Sequence, residues 1–499
     1  MSFYRKNVYL RNFNDRNMCT IIGRKKEIAE LKRLRDSKRP EFIAVYGRRR
    51  VGKTFLINEV FRDEMVFHHT GLSPFDNKRK VTMKRQLENF TFSLIRHGMD
   101  DIEPPKNWLE AFFLLEKFLK SRNNGSRQVV FIDEAPWMDT ARSGFLTALE
   151  AFWNGWGNTQ HQLCLIVCGS ATSWMMDNLI NNKGGLYNRL TAEIKLTPFC
   201  LGECEDFFKS RSIKLSRYNI MQAYMILGGI PYYLNLFNPS LSLAQNIDAF
   251  FFDRNAKLSN EFERLFNSIF SNAELCMKIV RLLGQRHLGY TRAELATQLS
   301  LSPNGAFSET LNALVSSDFL KEYKTSHEGR KKSKYKLSDP FCWFWLHFMD
   351  RKRITENDYW QHHLKDAETS AWRGIAFEEL CFRHIKQIKQ ALQIAGVSSV
   401  EYPLIDKGDA EHPGMQLDLI IDRRDDVLNV CEMKYTASAF VLTKPYAETI
   451  EQRRAALEQR YPHKSIHMTL VTTYPTSADT YADTFQSEVT ADDLFAQLR

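Results

Sequence analysis

The sequence predicts an α/β fold: a parallel sheet with a helical lid, then a compact helical unit carrying two strands, then a small second α/β unit. Three observations predict it. Short apolar runs at 42–46, 128–132 and 163–168 stop at glycine or acidic residues, as buried parallel strands do at one sheet edge. A glycine-rich loop joins the first run to a stretch with helical spacing. Far downstream, 416–422 and 427–434 read as two strands joined by the turn Arg424-Asp425-Asp426.

In chain order, residues 1–18 read as a polar lead-in. Thr20-Ile21-Ile22-Gly23-Arg24-Lys25-Lys26-Glu27 then leads into a helix to about Ser37, with apolar positions Ile28, Leu31 and Leu34. The strand Phe42-Ile43-Ala44-Val45-Tyr46 runs into Gly47-Arg48-Arg49-Arg50-Val51-Gly52-Lys53-Thr54, which satisfies G-x-x-x-x-G-K-[ST] at every fixed position. Strand, loop and following helix are the setting a phosphate-binding loop requires. The glycines let the backbone curl so that its N–H groups face phosphate oxygens, and the helix N-terminus adds partial positive charge. Lys53 is expected to reach the β- and γ-phosphates and the Thr54 hydroxyl to ligate Mg²⁺. Gly47, Arg49, Arg50, Val51 and Gly52 complete the expected ATP contacts of the loop.

Residues 62–128 read as mostly helical, with Lys78-Arg79-Lys80 and Lys84-Arg85 as a solvated basic face. Gln128-Val129-Val130-Phe131-Ile132-Asp133-Glu134 is a buried strand ending at its carboxyl edge, where open α/β sheets bind ligands. Asp133 is expected to hold Mg²⁺ and Glu134 to orient and deprotonate the attacking water; the alternative is a charged turn. The strand 163–168 ends in Gly169-Ser170-Ala171. Ser170 is the candidate to touch the γ-phosphate or the water, or else it caps the next helix. Arg189, just before the strand-like Ile194-Lys195-Leu196, is a candidate γ-phosphate sensor or an ordinary ion-pair partner. Residues 200–270 read as helical, broken at Gly228-Gly229 and restarted at Pro231.

The box at Gly23, the loop 47–54, Asp133-Glu134, Gly169-Ser170, Arg189 and Gly229-Ile230-Pro231 together resemble the archaeal-type ATPase family, within the AAA+/STAND-related P-loop ATPases, over about residues 18–270. The resemblance implies ATP and Mg²⁺ as cofactors, Gly23 and Arg24 near the adenine, Ser170 in the sensor position and Pro231 as a base contact in the helical lid.

Residues 273–338 change texture. A helix at 274–285, a capping box Thr291-Arg292-Ala293-Glu294, a third helix at 304–317 and strand-like 319–323 and 334–337 around Arg330-Lys331-Lys332 look like a winged helix. DNA contact through the third helix and wing is one reading. Interdomain packing is the other, since that helix is nearly uncharged. Asp339-Pro340-Phe341-Cys342-Trp343-Phe344-Trp345 begins a buried aromatic linker helix.

In the last unit a helix carries Glu378, one strand carries Asp418, and the next carries Glu432 and Lys434 on one face. Two carboxylates and a lysine suit metal-dependent phosphodiester hydrolysis: the acids hold the metal and the lysine positions water. The set resembles the PD-(D/E)XK nuclease superfamily, with Glu378 in its helical acidic position and Leu417 in place of a proline that many members also lack. The resemblance implies Glu378, Asp418 and Glu432 as metal ligands and Asp418, Glu432 and Lys434 as catalytic. A nuclease fold kept as a binding platform is the alternative.

The expected divisions are 18–200 for the P-loop core, 201–270 for the lid, 271–340 for the winged helix, 341–367 for the linker and 368–499 for the nuclease-like domain. The expected function is an ATP-hydrolysing enzyme whose nucleotide state controls a DNA-directed nuclease domain. A regulatory switch with binding domains at its end is the rival. The chain carries 68 Lys and Arg against 59 Asp and Glu, a net +9, which permits DNA as a partner without demanding it. The nine cysteines lie mostly alone in apolar stretches, as at Cys164, Cys168 and Cys431, and with no C-x-x-C pair they suggest neither a zinc ribbon nor a disulfide framework, as fits a reducing cytoplasm. No apolar run approaches the length of a membrane span. A homo-oligomer is left open.

Overall fold

The computed structural model describes residues 21–498 except 74, 77–78, 101, 328–329, 351–355, 409–412 and 478–480. The lead-in at 1–18 and Lys78 lie outside the described residues, as do the side chains of Arg79-Lys80 and Arg330-Lys331-Lys332.

Five strands, β1 (Glu41–Tyr46), β2 (Met65–Thr70), β3 (Gln128–Asp133), β4 (Leu163–Gly169) and β5 (Ala192–Lys195), form an all-parallel sheet in the order β2-β3-β4-β1-β5. β1, β3 and β4 are continuously apolar because both their faces are covered. Phe42, Ala44, Val130 and Ile132 face one cluster, with Phe90, Trp108 and Phe152; Ile43, Val45, Val129 and Phe131 face the other. The order places β1, β3 and β4 side by side, so the residues that follow each of them share one edge. β2 corrects the expectation of a helical stretch at 62–128. It is an edge strand in which Phe67 and His69 are buried between more exposed neighbours, so it lacks the apolar run of a central strand.

Downstream, helices Ala273–Leu283, Arg292–Gln298 and Gly305–Ser316 accompany a three-stranded antiparallel sheet of β6 (Tyr290–Thr291), β7 (Leu320–His327) and β8 (Arg330–Leu337), in the order β6-β8-β7. Thr291 and Glu294 form the expected capping box. Helix Gly305–Ser316 lies beside Thr172–Met175, immediately after β4. Helix Pro340–Phe348 is capped by the Asp339 carboxylate, which accepts the Cys342 N–H at 2.8 Å. Its Phe344 touches the rings of Phe251, Phe348, Trp360 and Trp372, so one core continues from the first sheet into the C-terminal unit.

That unit is a five-stranded sheet of β9 (Ser399–Gly408), β10 (Pro413–Arg423), β11 (Val427–Lys434), β12 (Ser465–Thr472) and β13 (Ser487–Thr490), in chain order. The first two pairings are antiparallel and the last two parallel. Leu419 and Ile421 pack with Trp372 and Phe377 of helix Ala367–Arg383, while Leu417 and Ile420 pack with Ile450 and Leu457 of helix Lys444–Arg460. No helix among the described residues is long and apolar enough to cross a membrane.

Candidate functional site

The loop 47–54 makes its turn with positive φ at Gly47 (137°), Arg50 (72°) and Gly52 (94°). A Cβ on Gly47 would lie 2.2 Å from the Leu196 carbonyl oxygen, so only glycine fits there. Helix Lys53–Val60 starts directly from the loop and aims its free N–H groups into the same space.

Lys53 is buried, and its ammonium donates to the carbonyls of Gly47 (2.9 Å) and Arg48 (3.1 Å) and to Ser170 Oγ (3.0 Å). Ser170 passes the connection on: its Oγ donates to Glu134 Oε1 at 2.7 Å and its N–H to Oε2 at 3.1 Å. The same residue therefore ties the loop lysine to the acid at the end of β3. Beside it, Thr54 Oγ1 donates to Asp133 Oδ2 at 2.7 Å. A hydroxyl and a carboxylate so close together are hard oxygen donors that fit Mg²⁺. The Ser170 side chain faces the acid and the lysine rather than a helix N-terminus.

These residues border a cavity of about 820 Å³. Arg49, Arg50, Val51, Gly52, Lys53, Thr54, Glu134 and Ser170 form its polar end, and Ile21, Ile22, Leu196, Phe199 and Pro231 its apolar end. Arg24 lines it too. Its guanidinium lies 4.7 Å over the Phe199 ring and donates to Val51 O at 3.3 Å, and burial lowers its pKa against the pull of Glu203. Gly23 stands behind this wall with positive φ, where a Cβ would meet Glu203 Oε1 at 2.2 Å. Pro231 opens helix Pro231–Leu234 after the left-handed Gly228 and Gly229, as expected.

Arg189 is exposed on the loop before β5 and is not among the residues lining the cavity, so the cavity does not bring it together with the other candidates. The sequence reading missed two groups of residues. Phe199, Phe207, Tyr232 and Asn235 line the apolar end; Tyr232, an exposed aromatic next to Pro231, was the one available signal. Arg48 turns to a buried ion pair with Asp339, and Arg50 pairs with Glu261, partners far away in sequence.

The C-terminal acids do assemble. Asp418 is pushed up to about 6 by burial, then by the charges of Glu378 and Glu432. It accepts the Met433 N–H at 2.9 Å. Glu432 is buried and already satisfied: Tyr446 O–H donates to it at 3.0 Å and Arg453 at 2.6 Å, with Lys434 Nζ 3.6 Å away. Glu378 faces His287 Nε2 at 2.8 Å. No three His, Cys, Asp or Glu side chains are arranged to hold an ion among the described residues. The expected metal set of Glu378, Asp418 and Glu432 is thus present in kind, with Glu378 and Glu432 hydrogen-bonded to protein partners as placed.

Comparison with known proteins bears on the first site. Over 407 residues the chain is 24% identical to an uncharacterized protein of Methanocaldococcus jannaschii, covering 80% of this chain and 83% of that one. Among solved structures it is similar to the Walker-type ATPase of Pyrococcus abyssi (18% identity, 65% of this chain, 96% of that one, TM-score 0.49). It is also similar to the ORC2 protein of Aeropyrum pernix (14% identity, 66% and 94%, TM-score 0.41). Residues 21–237 match the model of a family described as an ATPase domain predominantly from Archaea, and this stretch holds every residue of the cavity. Residues 21–237 are thus similar to an ATPase domain of the archaeal type.

Proposed function

We propose that the chain binds ATP in the 820 Å³ cavity and hydrolyses it, passing its nucleotide state to the modules downstream. The observation that carries this is the continuous path Lys53–Ser170–Glu134 beside the Thr54–Asp133 pair. Lys53 holds the β- and γ-phosphates, the loop N–H groups cradle them, and the base stacks toward Phe199 and Pro231. Mg²⁺, held by Thr54 with Asp133 beside it, supplies charge neutralisation when bound. Glu134 accepts the proton of the attacking water, and Ser170 fixes the carboxylate that does so. Wild-type protein is expected to turn over ATP only with Mg²⁺ present; failure to bind ATP at all in a calorimetric titration overturns the reading.

Residues 273–337 are read as a winged helix used for packing, supported by the contact of its third helix with Thr172–Met175 next to Ser170. That contact occupies part of the helix that would read DNA in such a fold, which supports packing over DNA contact. The C-terminal unit is read as a nuclease-like fold serving as a binding platform, since its acids are engaged by Arg453, Tyr446 and His287. DNA is the partner this basic chain suits, and a cytoplasmic location suits its unpaired cysteines, buried among the described residues except for the half-buried Cys200.

Metal-dependent DNA cleavage is the second reading, favoured by the clustering of Glu378, Asp418 and Glu432 that lifts Asp418. Asp418→Asn separates the two. Because the folded pKa lies above the unfolded one, the native state holds the extra proton between about pH 4 and 6, and stability falls as pH rises through that window. In chelator at pH 7 the Asn variant is expected to melt higher than wild type, with the gain gone by about pH 4. A platform shows no cleavage in either protein. Cleavage of linear, circular or single-stranded DNA with Mg²⁺ or Mn²⁺ by wild type, lost in Asp418→Asn, establishes the nuclease reading instead.

A further inference from the structure

Two arginines of the phosphate loop are held by acids from outside the cavity. Arg48 is 2% exposed and ion-paired to Asp339, which is fully buried, and its guanidinium lies 4.8 Å over the Phe319 ring. Arg50, in a left-handed conformation, is ion-paired to the buried Glu261 and lies 4.2 Å over the Tyr232 ring. Glu261 also accepts the Tyr233 O–H at 2.9 Å. Both acids begin or cap helices, Glu261–Ile269 and Pro340–Phe348. A third tie, Lys195 to Asp318 at 2.8 Å, joins the end of β5 to the same region. None of these acids lines the cavity, yet each fixes an element that does or adjoins one. Buried carboxylates cost several kcal/mol unless paired, so undocking this region strands Asp339, Glu261 or their arginines.

We propose that Asp339 and Glu261 are positioning residues that set the phosphate loop through Arg48 and Arg50, so that the docked downstream region completes the nucleotide site. Loop and region then exchange free energy in both directions: nucleotide tightens docking, and docking tightens nucleotide. A partner that pulls on the winged-helix region thereby releases ATP without touching the cavity. The inference rests on the ATP reading above.

The test uses the full chain, a fluorescent N-methylanthraniloyl ATP with Mg²⁺, and thermal melts with and without ATP. Asp339→Asn keeps the helix-capping oxygen and removes the charge; Arg48→Met removes its partner. Each single variant is expected to bind the analogue about tenfold more weakly. The double variant Arg48→Met/Asp339→Asn leaves no unpaired charge. It is expected to recover the nucleotide-free melting temperature while keeping the weak binding and a reduced ATP-induced rise in melting. Recovery of both stability and affinity in the double variant makes the pair merely structural and overturns the proposal. Unchanged affinity in the singles overturns it too, with the ATP reading intact. Wild-type protein that binds no analogue overturns the ATP reading, and this proposal with it.

Discussion

Lys53→Ala is expected to abolish ATP binding at any workable concentration. Lys53 is 5% exposed and its ammonium is fixed by three acceptors, so it meets the phosphates already oriented, with little side-chain entropy left to lose. Charge-assisted hydrogen bonds to two phosphates contribute about 2–3 kcal/mol each, which places the loss in affinity near or beyond a thousandfold. No other cation of the cavity is poised to replace it. Arg24 stacks on Phe199, Arg49 lies over Trp137, Arg50 is paired with Glu261, and Arg211 lies over Phe207. The folded state is expected to survive, since the two carbonyls lose only one of their acceptor contacts and Ser170 keeps its bond to Glu134. Isothermal titration with ATP and Mg²⁺ checks this; wild-type affinity in the variant removes the cavity as the nucleotide site.

The parts of this site that the sequence revealed are those whose signal is local. Gly47, Gly52, Lys53 and Thr54 sit at fixed spacing because the turn and helix start need them there. Asp133 and Ser170 are legible because a polar residue ending a fully apolar run can only stand at the edge of a buried strand. What stayed hidden depends on distance along the chain. Nothing local marks Arg48 as the loop arginine that pairs with Asp339, 291 positions away. Glu261 reads as an ordinary acid in the first turn of a helix. In the C-terminal unit the strand alternation identified Asp418, Glu432 and Lys434 correctly as neighbours. Arg453 and Tyr446, which occupy Glu432, come from helix Lys444–Arg460, whose exposed, charged sequence carries no apolar stripe to announce it. β9, β12 and β13 were missed as well; β9 and β13 lie at the sheet edges, where burial on one side leaves a weaker pattern than in β3 or β4.

Glu134→Gln is expected to separate binding from chemistry. Glu134 follows β3 in a left-handed conformation (φ 49°), which its two bonds from Ser170 help to hold. Both of those bonds are donated to the carboxylate: one by a backbone N–H, one by the Ser170 hydroxyl. A carboxamide keeps one oxygen to accept the Ser170 N–H and turns its NH₂ toward the Ser170 Oγ, which can accept it, so both contacts can persist with one reversed in direction. It also has no basic lone pair for the proton of the attacking water. Turnover is expected to fall about 10²- to 10⁴-fold, the range of a lost general base. ATP binding is expected to persist, because Lys53, the loop N–H groups and the Thr54–Asp133 pair are untouched. Single-turnover hydrolysis and equilibrium binding measured on the same preparation check both halves. A proportional loss of both would make Glu134 a structural support of the loop. Wild-type turnover would move the base to another carboxylate. Ser170→Ala distinguishes the remaining possibilities. It breaks the path between Lys53 and Glu134 at its middle, so it is expected to lower turnover less than Glu134→Gln while also weakening ATP, whereas a serine that only supports the turn after β4 would leave both values where they are.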